Sequence, residues 1–289
     1  MPVVVVTDSS SRLPRSVTEH YRIRQVPLHV NVEGSDYREG VDDIPDDVVS
    51  TPGVTTSGAN PNELSEVFSA ALDDSEGHGV VAVHMSRRLS GTWSSARMAA
   101  EKFSGQVRVV DSRSVGLAVG FTAIAAAQAA AGGADRDRVY ESAIRQAATV
   151  DSLLCVQQLD NLRHSGRISA AGKLFGSALS IKPILHMVDG TLQLKERHRT
   201  FSKALDKMVD AAVESAGGRA VTVGIQHCQS PDVAEELRAT VNGRLRVVTS
   251  ELTVDLGPIL GSHVGPGAVG VVIAAHLDPI EGIEPAEGF

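Results

Sequence analysis

Aromatic residues are scarce in this chain, with six Phe, three Tyr and one Trp among 289 residues. Proteins that grip single-stranded nucleic acid stack its bases on aromatic side chains, and so thin a supply argues against such a platform. Cysteine is scarcer still. Cys155 and Cys228 stand far apart with no CxxC pair and no zinc-ligand spacing, which excludes a disulfide framework and makes the reducing cytoplasm the expected location. Both read as small core residues. Positive charge is in deficit: 27 Lys and Arg against 35 Asp and Glu leave a net charge of −8. The overall field of such a chain attracts neither DNA nor an anionic membrane. Long apolar runs are missing as well. The opening Met1-Pro2-Val3-Val4-Val5-Val6 has no basic region and only four valines, so it does not read as a signal peptide. Residues 114–134 carry no charge over a membrane-spanning length, but they are mostly Ala and Gly with Gln128 inside, which favours a buried helix.

What is present is ordinary for a soluble globular protein: 42% hydrophobic and 21% charged residues. The length suggests two domains. Short β-branched runs alternate with Ala-, Leu- and Glu-rich segments, the pattern of βα units around parallel sheet. In the first half the pattern predicts strands over 2–7, 26–32, 79–84 and 106–111. It predicts helices over 61–72 (capped by Asn60), 92–103, 115–131 and 135–150 (capped by Asp135). The second half reads as a strand at 153–156, a short helix ending near Gly166 and a small-residue helix around 171–179. A hairpin turning at Asp189-Gly190 follows, then helices over 202–216 and 231–241 and strands over 221–226, 244–250 and 269–275. The expected division is an N-terminal α/β domain over 1–150, a C-terminal α/β domain over 151–279, and a fraying acidic tail over 280–289.

Several catalytic signatures are absent. There is no GxxxxGK[ST], no GxSxG and no HExxH. Gly265-Pro266-Gly267-Ala268-Val269-Gly270 fits GxGxxG as a string, but it leads into a strand instead of opening a helix, so it is not a dinucleotide fingerprint. Hydroxyls, by contrast, gather at strand-to-helix junctions: Thr7-Asp8-Ser9-Ser10-Ser11, Thr55-Thr56-Ser57-Gly58, Ser86 to Thr92, and Asp111-Ser112. One such hydroxyl is usually a helix cap. Four junctions at the carboxyl ends of one sheet suggest a hydroxyl-lined anion site. His263 stands alone among Gly257, Gly261, Gly265 and Gly267, residues too small to bury it, which leaves room for a ligand. Residues 163–203 hold eight Lys and Arg against two acids, a local reversal of sign that reads first as a solvated face. Arg167 differs from the rest, since the turn Ser165-Gly166 could aim its guanidinium at a carboxylate or phosphate.

Taken together these segments resemble the DegV family, whose characterised members are the fatty-acid-binding subunits of bacterial fatty acid kinase. The carriers, in order, are Thr7-Asp8-Ser9-Ser10, Thr56-Ser57, Leu89-Ser90-Gly91-Thr92, Asp111-Ser112, Ser165-Gly166-Arg167-Ile168, Lys182-Pro183-Ile184-Leu185, and Gly261 to Gly267 with His263. The resemblance implies two α/β domains of DegV-like architecture. The N-terminal one would have three layers around a mainly parallel sheet, the C-terminal one two layers with a mixed sheet. It also implies one long-chain fatty acid in an apolar tunnel, its carboxylate held by Thr56, Ser57, Ser90, Arg167 and His263. The chain departs from the family pattern at Gly58-Ala59-Asn60, beside the head group, and at Ser165, where the family usually has glycine.

The implied role is that of a carrier. The protein presents the carboxylate to an ATP-dependent kinase subunit, which converts it to an acyl phosphate for phospholipid metabolism, and the chain needs no cofactor or metal of its own. The basic stretch with Lys195, Arg197 and Arg199 is the candidate surface for that kinase. Nucleic acid and stable membrane insertion are not expected, although transient contact with a membrane surface is compatible with lipid exchange. The competing reading is a serine hydrolase with Ser90 as nucleophile and His263 as base, acting on an acyl ester. A transcriptional regulator is a third, but the sequence offers no basic recognition helix.

Overall fold

The computed structural model describes residues 2–168 and 181–283. The small-residue helix expected around 171–179 lies outside the described residues. In the first half the elements are β1 (Val4–Asp8), α1 (Arg15–Tyr21), β2 (Arg24–Val26), β3 (His29–Val32), β4 (Ser35–Arg38), β5 (Thr55–Ser57), α2 (Pro61–Asp74), β6 (Val80–His84), α3 (Thr92–Ala100), β7 (Val107–Asp111), α4 (Leu117–Ala131) and α5 (Arg136–Thr149). β2, β1, β6 and β7 lie side by side in that order as a fully parallel sheet. Parallel sheets need cover on both faces, which is why β6 is apolar from Val80 to Val83 with every residue buried. Helices α2 and α3 pack on one face, α4 and α5 on the other. That makes three layers.

The strand expected over 26–32 is two strands in two sheets. Pro27 has no N–H to give to a ladder, so β2 ends at Val26. β3 then opens a separate antiparallel sheet ordered β4-β3-β5. Helix α2 begins where expected. The Asn60 side chain accepts from the N–H groups of Asn62 and Glu63, and Glu63 returns a bond to the Asn60 N–H, a complete capping box. The uncharged stretch becomes α4, a helix of 15 residues of which 12 are buried. It is too short to span a bilayer, and no helix among the described residues is long and apolar enough to do so.

The second half runs β8 (Asp151–Cys155), α6 (Asp160–His164), β9 (Lys182–Val188), β10 (Thr191–His198), α7 (Phe201–Ala216), β11 (Ala220–His227), α8 (Pro231–Arg244), β12 (Val247–Asp255), α9 (Gly257–Val264) and β13 (Val269–Ala275). Its six strands form one mixed sheet, ordered β10-β9-β8-β13-β11-β12, in which only β11 and β12 are parallel. The two faces of this sheet have different partners. Leu153, Cys155, Val223, Ile225, Val271 and Ile273 point into a cluster with α7 and α8. Leu154, Leu185, Leu192 and Val272 alternate with them along the strands and join the main core. That core continues through α4 into the first half, so the hydrophobic contact runs unbroken across residue 150.

Both cysteines are buried and reduced, and burial pushes each thiol up to about 12. The start of the tail is held in place. The Ile280 N–H donates to Ser250 Oγ at 2.8 Å, the Glu281 N–H donates to Tyr21 Oη at 3.0 Å, and Ile280 is buried. Fraying therefore does not begin at residue 280 as expected.

Candidate functional site

The first hydroxyl segment turns inward. Thr7 through Ser11 are all buried. Thr7 Oγ1 donates to the Val83 carbonyl at 2.8 Å, and Ser9 Oγ donates to Glu39 at 2.6 Å. Asp8 accepts from Ser10, from the Met85 N–H at 3.1 Å and from His84 Nδ1 at 2.9 Å. Ser112 Oγ is taken up by Ser114, accepting from its N–H at 3.2 Å and donating to its carbonyl at 3.4 Å. Two of the four junctions expected to supply an anion site are therefore internal bracing between neighbouring loops. A third, Thr55–Ser57, is no junction of the parallel sheet at all: it is β5, an edge strand of the small antiparallel sheet.

Thr56, Ser57, Ser90, Arg167 and His263 nevertheless converge. All five line one cavity between the parallel sheet and the inner face of the mixed sheet, together with Gly58. Thr56 Oγ1 and His263 Nε2 lie 2.8 Å apart, joining β5 to α9 across 207 residues of sequence. Ser90 Oγ is 2.9 Å from Thr92 Oγ1 and accepts from the Thr92 N–H at 3.3 Å, so the Ser90 hydroxyl sits at the entry to α3. A Cβ at Gly58 would overlap Thr92 Oγ1 and come within 3.0 Å of Ser90 Oγ. The departure at Gly58 therefore has a local use, letting β5 close onto this hydroxyl pair. Arg167 is tethered by Nε to the Leu89 carbonyl at 3.3 Å and by a terminal nitrogen to the Ser165 carbonyl at 2.5 Å.

Burial, reinforced by the nearby Arg167 charge, pushes the His263 imidazole down to about 4. It is neutral at pH 7. The site thus offers one fixed positive charge, that of Arg167, beside hydroxyls and a neutral imidazole, which suits a monoanion. No group of His, Cys, Asp and Glu among the described residues could hold a metal ion.

The rest of the cavity is mainly apolar, with Ser152 and Gln226 as its other polar side chains. Leu28, Met85, Leu89, Leu154, Met187, Leu192, Leu256, Ile259 and Leu260 form most of its wall. Its free space is about 850 Å³ with the open mouth included. The interior room open to the centre of a water-sized sphere is only about 90 Å³, below the roughly 300–1,000 Å³ of typical ligand pockets, so the cavity is narrow as it stands.

Three positioning features went unread in the sequence. Ser86 Oγ donates to the Gly190 carbonyl at 2.7 Å, so the β9–β10 turn docks on the loop that carries Ser90. α9 is a helix where the sequence suggested only a glycine-rich approach; Pro258 in its first turn and Gly265 at its end were the available signals. Its start is braced by Arg12, which donates to the Asp255 carbonyl at 2.9 Å and to the buried Glu39 at 3.0 Å. Gly257, at φ +70, is needed there because a Cβ would overlap both Arg12 and Glu39. Burial raises the Glu39 pKa against the pull of Arg12 and Ser9. Lys195, Arg197 and Arg199 are exposed at the end of edge strand β10 and are not among the cavity-lining residues.

A family model described as the uncharacterised DegV family matches residues 2–276. The chain belongs to the DegV family. A DegV domain-containing protein of Mycobacterium tuberculosis is 44% identical over 279 residues, covering 96% of this chain and 99% of its own length. Among solved structures, a DegV family protein of Corynebacterium glutamicum is 33% identical with a TM-score of 0.85, covering 96% of this chain and 99% of its own. A DegV family protein of Thermus thermophilus, described for its fatty acid binding, is 30% identical with a TM-score of 0.89, covering 95% of this chain and all of its own. The Bacillus subtilis DegV, a fatty acid binding protein, is 28% identical with a TM-score of 0.85, covering 95% of this chain and 99% of its own. The DegV architecture expected from the sequence, with parallel sheet in the N-terminal part and mixed sheet in the C-terminal part, is the one found.

Proposed function

We propose that this DegV protein binds one long-chain fatty acid and presents its carboxylate to a separate ATP-dependent kinase, which phosphorylates it to an acyl phosphate. The observation that carries the reading is one largely apolar cavity whose lining brings together Thr56, Ser57, Ser90, Arg167 and His263. The Thermus and Bacillus relatives, which bind fatty acids, support it. The energetics divide the labour. A hexadecanoyl tail buries about 14 methylenes at about 0.8 kcal/mol each, roughly 11 kcal/mol gross. A charge-assisted hydrogen bond at the head group adds about 1.5–3 kcal/mol. The tail supplies affinity and the head group supplies orientation.

The chemistry asks one thing more of the head-group residues. A carboxylate must be ionised to attack a phosphoryl group, yet an apolar site favours its protonated form. The Arg167 guanidinium and the donors around it offset that preference. The chain has no phosphate-binding loop, so the nucleotide belongs on the partner, and the exposed Lys195, Arg197 and Arg199 offer that partner a basic edge.

The hydrolase alternative draws no support from the hydrogen bonds. His263 faces Thr56, Ser90 faces Thr92, and among the described residues no hydrogen bond joins Ser90 to His263 and no carboxylate orients the imidazole. A fluorophosphonate probe separates the two readings. The carrier leaves Ser90 unlabelled and, with ATP and its kinase, turns bound fatty acid into acyl phosphate. Labelling at Ser90 would overturn it.

A further inference from the structure

Besides the five residues above, the cavity wall contains two further polar side chains, Gln226 on β11 and Ser152 on β8. Both are buried, at 4% and 7% exposure. They lie on the inner face of the mixed sheet, where Gln226 is level with Gly270 of β13 and then Leu154 of β8, two residues along from Ser152.

The amide of Gln226 has a fixed orientation. Its Oε1 accepts from the Leu117 N–H at 2.7 Å, capping the first turn of α4 from across the cavity. A backbone N–H can only donate, so the oxygen must face α4 and the NH₂ group must face away. Nε2 lies over Gly270, 3.6 Å from where a Cβ would stand there. Among the described residues Nε2 and Ser152 Oγ have no hydrogen-bond partner, and neither is fully sealed from solvent, so both keep access to the space of the cavity they line. Gly116 and Gly270 both lack the side chains that would crowd this amide.

Capping α4 accounts for Oε1 and leaves the two Nε2 protons without a use. A donor that faces an apolar cavity is served only by water or by a ligand that carries an acceptor, and a leucine at 226 would line the wall without one. A plain alkyl chain lying over Nε2 offers it nothing. A chain that carries an oxygen does: a hydroxyl can accept from Nε2 or exchange a hydrogen bond with Ser152 Oγ.

We propose that Gln226 and Ser152 form a second polar subsite in the cavity wall, which selects acyl chains bearing an oxygen substituent, of the hydroxy fatty acid class. This rests on the reading of the cavity as an acyl-chain site and adds a chain preference to it.

The test is calorimetric or competitive binding of octadecanoate and a series of hydroxyoctadecanoates, with the hydroxyl at successive positions, to the full chain. At least one isomer binds about tenfold tighter than octadecanoate, the gain expected of one buried hydrogen bond. Ser152→Ala, which removes one hydroxyl from a strand, reduces that gain, read as the ratio of hydroxyoctadecanoate to octadecanoate affinity. Gln226→Met, which keeps the side-chain length but has no donor, abolishes it. If octadecanoate binds as tightly as every isomer, an ordered water satisfies Nε2 and the subsite is overturned while the fatty acid reading stands. If neither octadecanoate nor any isomer binds, the fatty acid reading falls and takes the subsite with it.

Discussion

His263 enters the site neutral, at about 4, because burial and the Arg167 charge both oppose its protonation. A bound carboxylate changes one of those causes, since an anion beside the ring favours imidazolium. Binding should therefore take up protons, and affinity should rise as pH falls from 7 towards 4. Calorimetry in buffers of different ionisation enthalpy measures that uptake, and His263→Gln, which cannot titrate, should show none while still binding. The empty protein behaves in the opposite sense. Its unfolded state binds the proton first, so His263 lowers stability as pH falls from 6.5 towards 4. Ser90→Ala should weaken fatty acid binding no more than about tenfold, because the tail dominates affinity, and should weaken phosphorylation far more. Equal losses in the two assays would mean that the head group dominates. All five proposed head-group residues stood in legible segments, but the inward-turned Thr7 to Ser11 looked equally eligible. Hydroxyls that brace loops and hydroxyls that bind anions share the same local sequence, and only tertiary contact tells them apart.

Among the elements, the small sheet that carries Thr56 has its own titratable brace. His29 on β3 sits between Asp36 of β4, at 2.7 Å, and Glu63 of α2, at 2.8 Å. Burial opposes its charge, but the hydrogen bond to Asp36 and the charge of Glu63 prevail and raise its pKa above 6.5. A raised histidine stabilises most fully below its unfolded pKa and loses that contribution as pH rises through the folded one. Thermal unfolding should therefore show stability falling from pH 6.5 upward, and His29→Gln should flatten the slope. At the start of α9, burial works against the Asp255 charge, but His227 and the N–H groups of Gln229 and Gly257 hold its carboxyl at about 2. Asp255→Ala should cost about 1–2 kcal/mol in chemical denaturation. Elements with strong local signals were legible: α2 from Asn60, Pro61 and Glu63, and α5 from Asp135. β5 was not, because three residues carry no period and its pairing partner, β3, is set by a break at Pro27.

The two halves of the molecule meet through a shared core and a few polar ties. Gln226 caps α4, Ser86 holds the β9–β10 turn, and Arg12 reaches the end of β12. Gly116 has φ +69 and ψ −146, a region open essentially to glycine alone, and a Cβ there would overlap Gln226 Oε1. Gly116→Ala should cost at least about 2 kcal/mol. The alternating sheet-and-helix pattern made the parallel sheet legible. The strand order of the mixed sheet was not, since β13 enters between β8 and β11 from the far end of the chain. The basic edge of β10 is tested by reversing Lys195, Arg197 and Arg199 together. Kinase turnover should fall while lipid binding stays unchanged, and unchanged turnover would return these residues to a solvated face. The account as a whole stands on the cavity being an acyl-chain site. Mass spectrometry of lipid extracted from protein purified under native conditions tests it most directly: one long-chain fatty acid per chain is expected, whereas folded protein that carries no fatty acid and takes none up would contradict it.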